Sequence, residues 1–392
     1  MIEKRSARGR YLITLVNLLW LQGCFTAQLP NPTGPDALGT REITSNQRRL
    51  AVDGSPEGPA APFLVQAWYP RSPGAEGKTA PYVKDANVVI PELAESLNLP
   101  AWPFSSIGEI KTHAVENARI APSADGKTKK WPLIVFSHGF NGLRSQSTVL
   151  MEELASHGYL ILAPQHSYDS AVTVFPGGRK LEPKAKPPKD LSLMEEDELR
   201  GEWTDRRVGE LRSLLALVFA GKLPDKELND QIDLNRVAVL GHSMGGSTIS
   251  GICRELRDIK ACINLDGPIR GTRQKGKLLH PMLFVEAQLP QYKNDEQKNL
   301  YLTRLGEFEK SAGAGFVYAQ IQDIGHFDFT DAPFLSPLPL HWMTKNLGSL
   351  DPKKTLQIQS ELILEFLKLS FEGKTPTITN LPQFAELEYK SK

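Results

Sequence analysis

The hexapeptide Gly241-His242-Ser243-Met244-Gly245-Gly246 follows directly on the apolar run Val237–Leu240. A strand that ends in a G-x-S-x-G turn and continues into a small-residue helix presents its serine at the tip of a sharp bend. Glycines flank it because a Cβ there would strike the neighbouring strand and helix. The pattern points to hydrolytic chemistry with the Ser243 hydroxyl as nucleophile. A hydroxyl is a weak nucleophile at neutral pH, so it needs a base, and the base needs a carboxylate that fixes its tautomer.

Of the eight histidines, three follow Ser243: His280, His326 and His341. His326 is the expected base, because Asp323-Ile324-Gly325-His326-Phe327 forms a loop past the apolar strand Phe316–Ile321. His280 precedes a strand and so falls at the wrong sheet edge, while His341 beside Trp342 reads as a packing or surface residue. Asp266 closes the run Ala261–Leu265 ahead of Gly267-Pro268 and is the expected acid, with Asp323 and Asp328 in reserve. Negative charge developing on an ester oxygen calls for two backbone N–H donors. The expected donors are Met244, after the nucleophile, and Phe140 in His138-Gly139-Phe140-Asn141-Gly142. His138 and His242 read as loop-orienting residues rather than catalytic ones.

The elements that must position these groups are apolar strands at Leu133–Ser137, Tyr159–Pro164, Val237–Leu240, Cys262–Leu265, Met282–Ala287 and Phe316–Ile321. They alternate with helix-like segments Ser145–Ser156, Glu198–Ala220, Ser243–Leu256, Lys298–Ser311 and Thr355–Leu369. Buried strands separated by helices imply an α/β fold, here an α/β-hydrolase fold with a mostly parallel central sheet and helices on both faces. An earlier strand is expected at Phe63–Tyr69. The reading is one catalytic domain over 41–375, with insertions at about 85–118 and 168–197, preceded by a Pro/Gly-rich tether at 29–40 and followed by a tail at 376–392. The 85–118 insertion could help cover the site, and the 168–197 insertion, too long for an ordinary connection, reads either as a flap beside it or as a solvated excursion.

Forty-six Lys+Arg against 45 Asp+Glu give a net charge of +1, which provides no pull toward nucleic acid. The histidines lack ligand spacing such as H-E-x-x-H, so neither metal nor cofactor is expected. Residues 1–28 differ in kind: Lys4, Arg5, Arg8 and Arg10 precede the apolar stretch Tyr11–Leu21, which is short for a bilayer span. This reads as an export signal. Leu21-Gln22-Gly23-Cys24 is similar to a bacterial lipobox, which makes Cys24 a lipidation site and the protein a periplasmic or cell-envelope lipoprotein attached to a membrane. The alternatives are a secreted protein cleaved near Thr26-Ala27 or an uncleaved anchor. With Cys24 set aside, Cys253 and Cys262 form the single possible disulfide. Placed in a helix and a strand, they are expected instead as small buried apolar side chains.

Several segments together resemble the plasma-type platelet-activating factor acetylhydrolase family, isoform II, and its bacterial relatives. They are Pro32-Thr33-Gly34-Pro35, Val65–Pro70, Val135-Phe136-Ser137-His138-Gly139, Leu154–Tyr159, the GHSMGG turn, Leu265-Asp266-Gly267 and Gly325-His326, and they spread over most of 30–335. The resemblance implies a calcium-independent serine esterase with Ser243, Asp266 and His326 as triad and Phe140 and Met244 as oxyanion donors. It further implies esters with short or oxidised acyl groups, notably on phospholipids. GHSMGG also occurs in polyester hydrolases and dienelactone-type enzymes, which keeps those substrates open. An acyltransferase using the same triad and a noncatalytic lipid-binding lipoprotein are the remaining alternatives.

Overall fold

A computed structural model describes residues 27–51, 53–122, 130–289, 292, 294–335 and 346–390. Cys24, Thr26 and His341 therefore lie outside the described residues. In chain order the described strands are β1 (Leu38–Leu50), β2 (Pro56–Pro70), β3 (Thr79–Pro81), β4 (Lys111–Glu116), β5 (Trp131–Ser137), β6 (Leu160–Gln165), β7 (Thr173–Val174) and β8 (Lys180–Leu181). Then come β9 (Ile232–His242), β10 (Ala261–Leu265), β11 (Met282–Ala287), β12 (Phe316–Ile321) and β13 (Leu387–Lys390). The helices are α1 (Ala86–Ser96), α2 (Thr148–Ser156), α3 (Leu193–Phe219), α4 (Lys226–Gln231), α5 (Met244–Glu255), α6 (Asp295–Ser311), α7 (Ala332–Leu335) and α8 (Pro352–Phe371).

Eleven strands form one sheet in the order β13-β12-β11-β10-β9-β5-β6-β2-β1-β4-β3. The six from β12 to β6 run parallel, and β2 and β13 flank them antiparallel. Side chains alternate between two cores, as a strand covered on both faces requires. Ile134, Phe136, Ala238 and Leu240 pack with Met151 and Leu154 of α2 and Phe366 of α8. Leu133, Val135, Val237 and Val239 pack with Leu211 and Leu215 of α3, Ile249 and Ile252 of α5 and Phe308 of α6. The fold is the α/β-hydrolase architecture that the sequence implies.

Four details differ from the sequence reading. The 29–40 tether is not free: Leu29 is buried, the Thr33 amide donates to Glu153 at 2.8 Å, and the Gly34 amide donates to Ser156 Oγ at 3.0 Å. A Cβ on Gly34 would lie 2.2 Å from the Ser156 carbonyl oxygen, so only glycine permits this approach. The 376–392 tail returns to the sheet as edge strand β13, paired Tyr318↔Lys390 through Ile321↔Leu387, because Leu387 finds a buried place there. The helix expected from Glu198 starts earlier, at Leu193, so the end of the 168–197 insertion is the first turn of α3, where Ser192 and Glu195 form a capping box. Cys253 and Cys262 are joined in a disulfide with Cα atoms 6.1 Å apart, within the span a bridge needs. Helix α5 packs directly against β10, so a helix position and a strand position nine residues apart in sequence meet side by side.

Insertion 85–118 becomes α1, a 3-10 segment at Trp102–Glu109, and β4. It is fastened to α2 by the buried Glu152, whose carboxylate accepts from the His113 amide at 2.9 Å, the Ala114 amide at 3.0 Å and the His113 ring at 2.8 Å. Replacing Glu152 by alanine removes the acceptor of the His113 amide and leaves the Ala114 amide only its longer contact to Thr112 Oγ1 at 3.3 Å. Glu152→Ala should therefore lower unfolding free energy by about 2–3 kcal/mol, read from urea denaturation of both proteins.

Candidate active site

Ser243 sits between β9 and α5 with φ 57° and ψ −124°, a backbone region that serine enters only when its surroundings impose it. The surroundings are specific. A Cβ on Gly241 would lie 2.4 Å from Gly245, one on Gly245 would lie 1.9 Å from the Ser137 carbonyl oxygen, and one on Gly246 would lie 2.1 Å from Asn264 Oδ1. The Ser243 amide donates to the Leu265 carbonyl at 2.9 Å, tying the turn to the neighbouring strand.

Asp266 leaves the end of β10 with φ 54°, and His326 leaves the loop after β12. The structure brings both to Ser243: His326 Nε2 is 2.9 Å from Ser243 Oγ, and His326 Nδ1 is 2.6 Å from Asp266 Oδ2. The other Asp266 oxygen accepts the Ala287 amide at 3.0 Å. A carboxylate on Nδ1 requires the proton there, which leaves the Nε2 lone pair facing the hydroxyl. Such an arrangement can take a proton from Ser243 and return it to a departing alkoxide.

The reserve acids do other work. Asp328 Oδ2 accepts the Gly325 amide at 2.7 Å and the Gly348 amide at 2.6 Å, shaping the loop that carries His326. Asp323 turns the same loop through its carbonyl, which accepts from Ser349 and Leu350. His280 is bonded to the Leu256 carbonyl, away from the site.

Phe140 and Met244 belong to one small cluster with Trp203, on which the Phe140 ring stacks at 5.2 Å. Gly139 comes so close to the serine that a Cβ on it would lie 3.3 Å from Ser243 Cβ. The Gly139 carbonyl accepts from His138 Nδ1 at 2.7 Å, Arg207 Nη2 at 3.1 Å and the Gly142 amide at 3.2 Å. A trans peptide is planar with its C=O and N–H opposed, so anchoring that oxygen aims the Phe140 N–H the other way. Arg207 is fully buried, also donates to the His138 carbonyl, and is paired with Asp169, to which its Nε donates at 2.8 Å.

His138 Nε2 accepts the His166 amide at 3.1 Å, so its proton is on Nδ1. Burial, and then the charge of Arg207, hold His138 well below the ordinary histidine range and keep it neutral. His242 is likewise held well below that range, first by burial and then by His326, whose ring centroid is 4.5 Å away. Arg207, Asp169 and Gln146 carry no motif, and the one sequence signal for Gln146 is its place four residues past Gly142.

Two cavities meet at the serine. One, of about 200 Å³, is apolar, lined by Ile90, Leu93, Leu97, Phe104 and Phe327 together with His326. The other, of about 450 Å³, lies on the Asp266 side and contains Glu286, Tyr292, Tyr301, Tyr318 and Gln320. Glu286 accepts from Tyr301 at 2.7 Å and from Gln320 at 3.2 Å, and burial raises its carboxyl above the usual range. No group of residues able to hold a metal ion occurs among the described residues.

The chain is similar to known ester-hydrolysing proteins. The family model for platelet-activating factor acetylhydrolase, isoform II, matches residues 90–376. Platelet-activating factor acetylhydrolase of Gallus gallus is 23% identical over 381 residues, covering 87% of this chain and 83% of the relative. The Bos taurus enzyme is 25% identical over 284 residues, and the match spans 67% of this chain and 61% of the bovine one. A ferulic acid esterase structure from Streptomyces cinnamoneus superposes with TM-score 0.72 at 25% identity, covering 94% of this chain and 100% of that one.

Gly245 is the least substitutable residue of the turn. Gly245→Ala must push the α5 start away from β5, and it should remove at least about 99% of esterase activity, as a misplaced nucleophile does. Initial rates on p-nitrophenyl butyrate, with circular dichroism to establish that the variant is folded, check this.

Proposed function

The chain belongs to the platelet-activating factor acetylhydrolase, isoform II, family and is a carboxylic ester hydrolase, and from that premise we propose that it is a serine esterase working through an acyl-enzyme. Ser243 attacks the ester carbonyl while His326 takes its proton. Asp266 holds the imidazole and stabilises its charged form, and the Phe140 and Met244 amides receive the oxyanion. His326 then protonates the leaving alkoxide, and water, activated by the same imidazole, releases the acid. The observation that carries this reading is the single imidazole in hydrogen-bond contact with both Ser243 Oγ at 2.9 Å and Asp266 at 2.6 Å.

The substrates we propose are esters of short or oxidised acyl chains, including the sn-2 esters of phospholipids. The apolar cavity walled by α1 and the 3-10 segment Trp102–Glu109 supports a short apolar arm beside the reacting carbonyl. The likeness to a ferulic acid esterase, together with the tyrosine-lined cavity beside Asp266, favours aromatic-acid esters as a second reading.

We further propose export with lipidation at Cys24. The Cys253–Cys262 bridge supports an oxidising compartment. Incorporation of labelled fatty acid that is lost in Cys24→Ala is the expected result, and incorporation that survives the substitution contradicts it.

Ser243→Ala should lower kcat on p-nitrophenyl acetate and butyrate by a factor on the order of 10⁴–10⁶. Octanoate should be the poorest of the three chain lengths for the wild type, and equal rates for wild type and Ser243→Ala contradict the mechanism. Release of ferulate from methyl ferulate faster than of butyrate from its p-nitrophenyl ester would favour the second reading.

A further inference from the structure

We propose that Gln146 is a positioning residue that locks the Gly139–Phe140 turn to the His326 loop through His242, so that oxyanion donor and base are held in one frame. The inference rests on the roles given above to Ser243, His326 and Phe140. Gln146 Oε1 accepts the Gly139 amide at 3.1 Å, and its Nε2 faces His242 Nδ1 at 2.9 Å. On the far side of that ring, His242 Nε2 is 3.0 Å from the backbone carbonyl oxygen of His326.

The directions of these bonds admit one arrangement. A carbonyl oxygen only accepts, so His242 Nε2 carries the proton and donates it. Nδ1 is then a bare acceptor, and the Gln146 amide must present its NH₂ to it. That orientation leaves Oε1 for the Gly139 N–H, whereas the flipped amide would set oxygen against a lone pair and NH₂ against an N–H. The chain therefore runs without a defect from the His138–Gly139 peptide to the His326–Phe327 peptide. It works only while His242 is neutral, and burial beside His326 keeps it so.

The two loops come from opposite sides of β9, after β5 and after β12, and the catalytic imidazole itself touches neither the Gly139 turn nor α2 through any other bond described above. Gln146 also joins them along the main chain, since its own carbonyl accepts the Asp331 amide at 2.8 Å just beyond the His326 turn. Loss of the side chain frees the N–H of the His138–Gly139 peptide, which then keeps only its carbonyl contact to Arg207, and the added freedom at Gly139 lets the next peptide, Gly139–Phe140, rock about its own anchored carbonyl. Phe140 N–H then points at the oxyanion for only part of the time. The interaction tightens in the transition state, when charge has developed, so its loss falls on kcat rather than on KM.

The test compares Gln146→Met, His242→Phe and the double variant with wild type on p-nitrophenyl butyrate. Rates are expressed per serine titrated by a fluorophosphonate, so unfolded protein does not enter kcat. As a control, wild type must be labelled on the Ser243 peptide and Ser243→Ala must not be. Failure of that control contradicts the proposed function itself, not the role of Gln146. Gln146→Met should lose about tenfold to a hundredfold in kcat, less than deletion of an oxyanion donor costs, with KM changed by less than about twofold. The double variant should be no slower than the slower single variant, because both substitutions cut one chain. Wild-type kcat per titrated site in Gln146→Met, or losses that multiply in the double variant, overturn the proposal. Should Gln146→Met fail to fold, Gln146→Asn keeps the amide but is one methylene too short to span both partners. It should lose kcat in the same direction, and an unchanged kcat overturns the proposal equally.

Discussion

One imidazole joined to a hydroxyl on one side and a carboxylate on the other sets the demands that the rest of the structure meets. Ser243, Asp266 and His326 lie on separate segments, and hydrogen bonds of 2.9 and 2.6 Å tolerate little error in placing them. The parallel sheet supplies the common rim. The register Leu265↔His242 sets the Asp266 turn beside the Ser243 turn, and Ala287↔Ile321 brings β12 to the same edge. Each of the first two residues leaves its strand with positive φ, at a cost on the order of 1–3 kcal/mol apiece. That strain persists because glycines at 241, 245, 246 and 267 let strand, helix and turn close to contact distances that no side chain allows.

Beneath the rim lies a layer of buried polar groups whose role is to fix loops rather than to react. Arg207 and Asp169 are both almost wholly buried, an arrangement that stands only when charge is paired and the remaining donors are satisfied. Arg207 uses its donors on two consecutive carbonyls of the glycine turn. His138 and His242 sit in that layer as neutral rings, each with one nitrogen donating and the other accepting. Above the rim, the 85–118 insertion walls the apolar cavity at Ser243, and the polar cavity beside it is lined by the start of α3, by α6 and by residues of β11 and β12.

The strands that carry the site are the part most legible in the sequence. Met282–Ala287 and Phe316–Ile321 appear with the bounds expected, because a strand buried on both faces must be apolar throughout. The three residues expected to meet at the rim are found within hydrogen-bond reach for the same reason, since each follows such a run. β1 was not legible: its sequence LGTREITSNQRRL is largely polar and is held by pairing with β2 and by ion pairs such as Arg41–Asp225. α1 carries Pro91 in its interior, where a missing N–H ordinarily ends a helix. The disulfide and the Gln146 and Arg207 contacts depend on which elements become neighbours, and single-residue patterns hold no record of that.

The central claim is that the Ser243 oxygen becomes covalently acylated during turnover. Acid quenching of the enzyme within its first turnovers of p-nitrophenyl butyrate, followed by peptide mass spectrometry, tests this most directly. The account predicts a butyryl adduct on the peptide containing Ser243 that forms with the burst of p-nitrophenol and decays as butyrate appears. Full turnover with no adduct on that peptide, or an adduct on a different side chain that is kinetically competent, would contradict it.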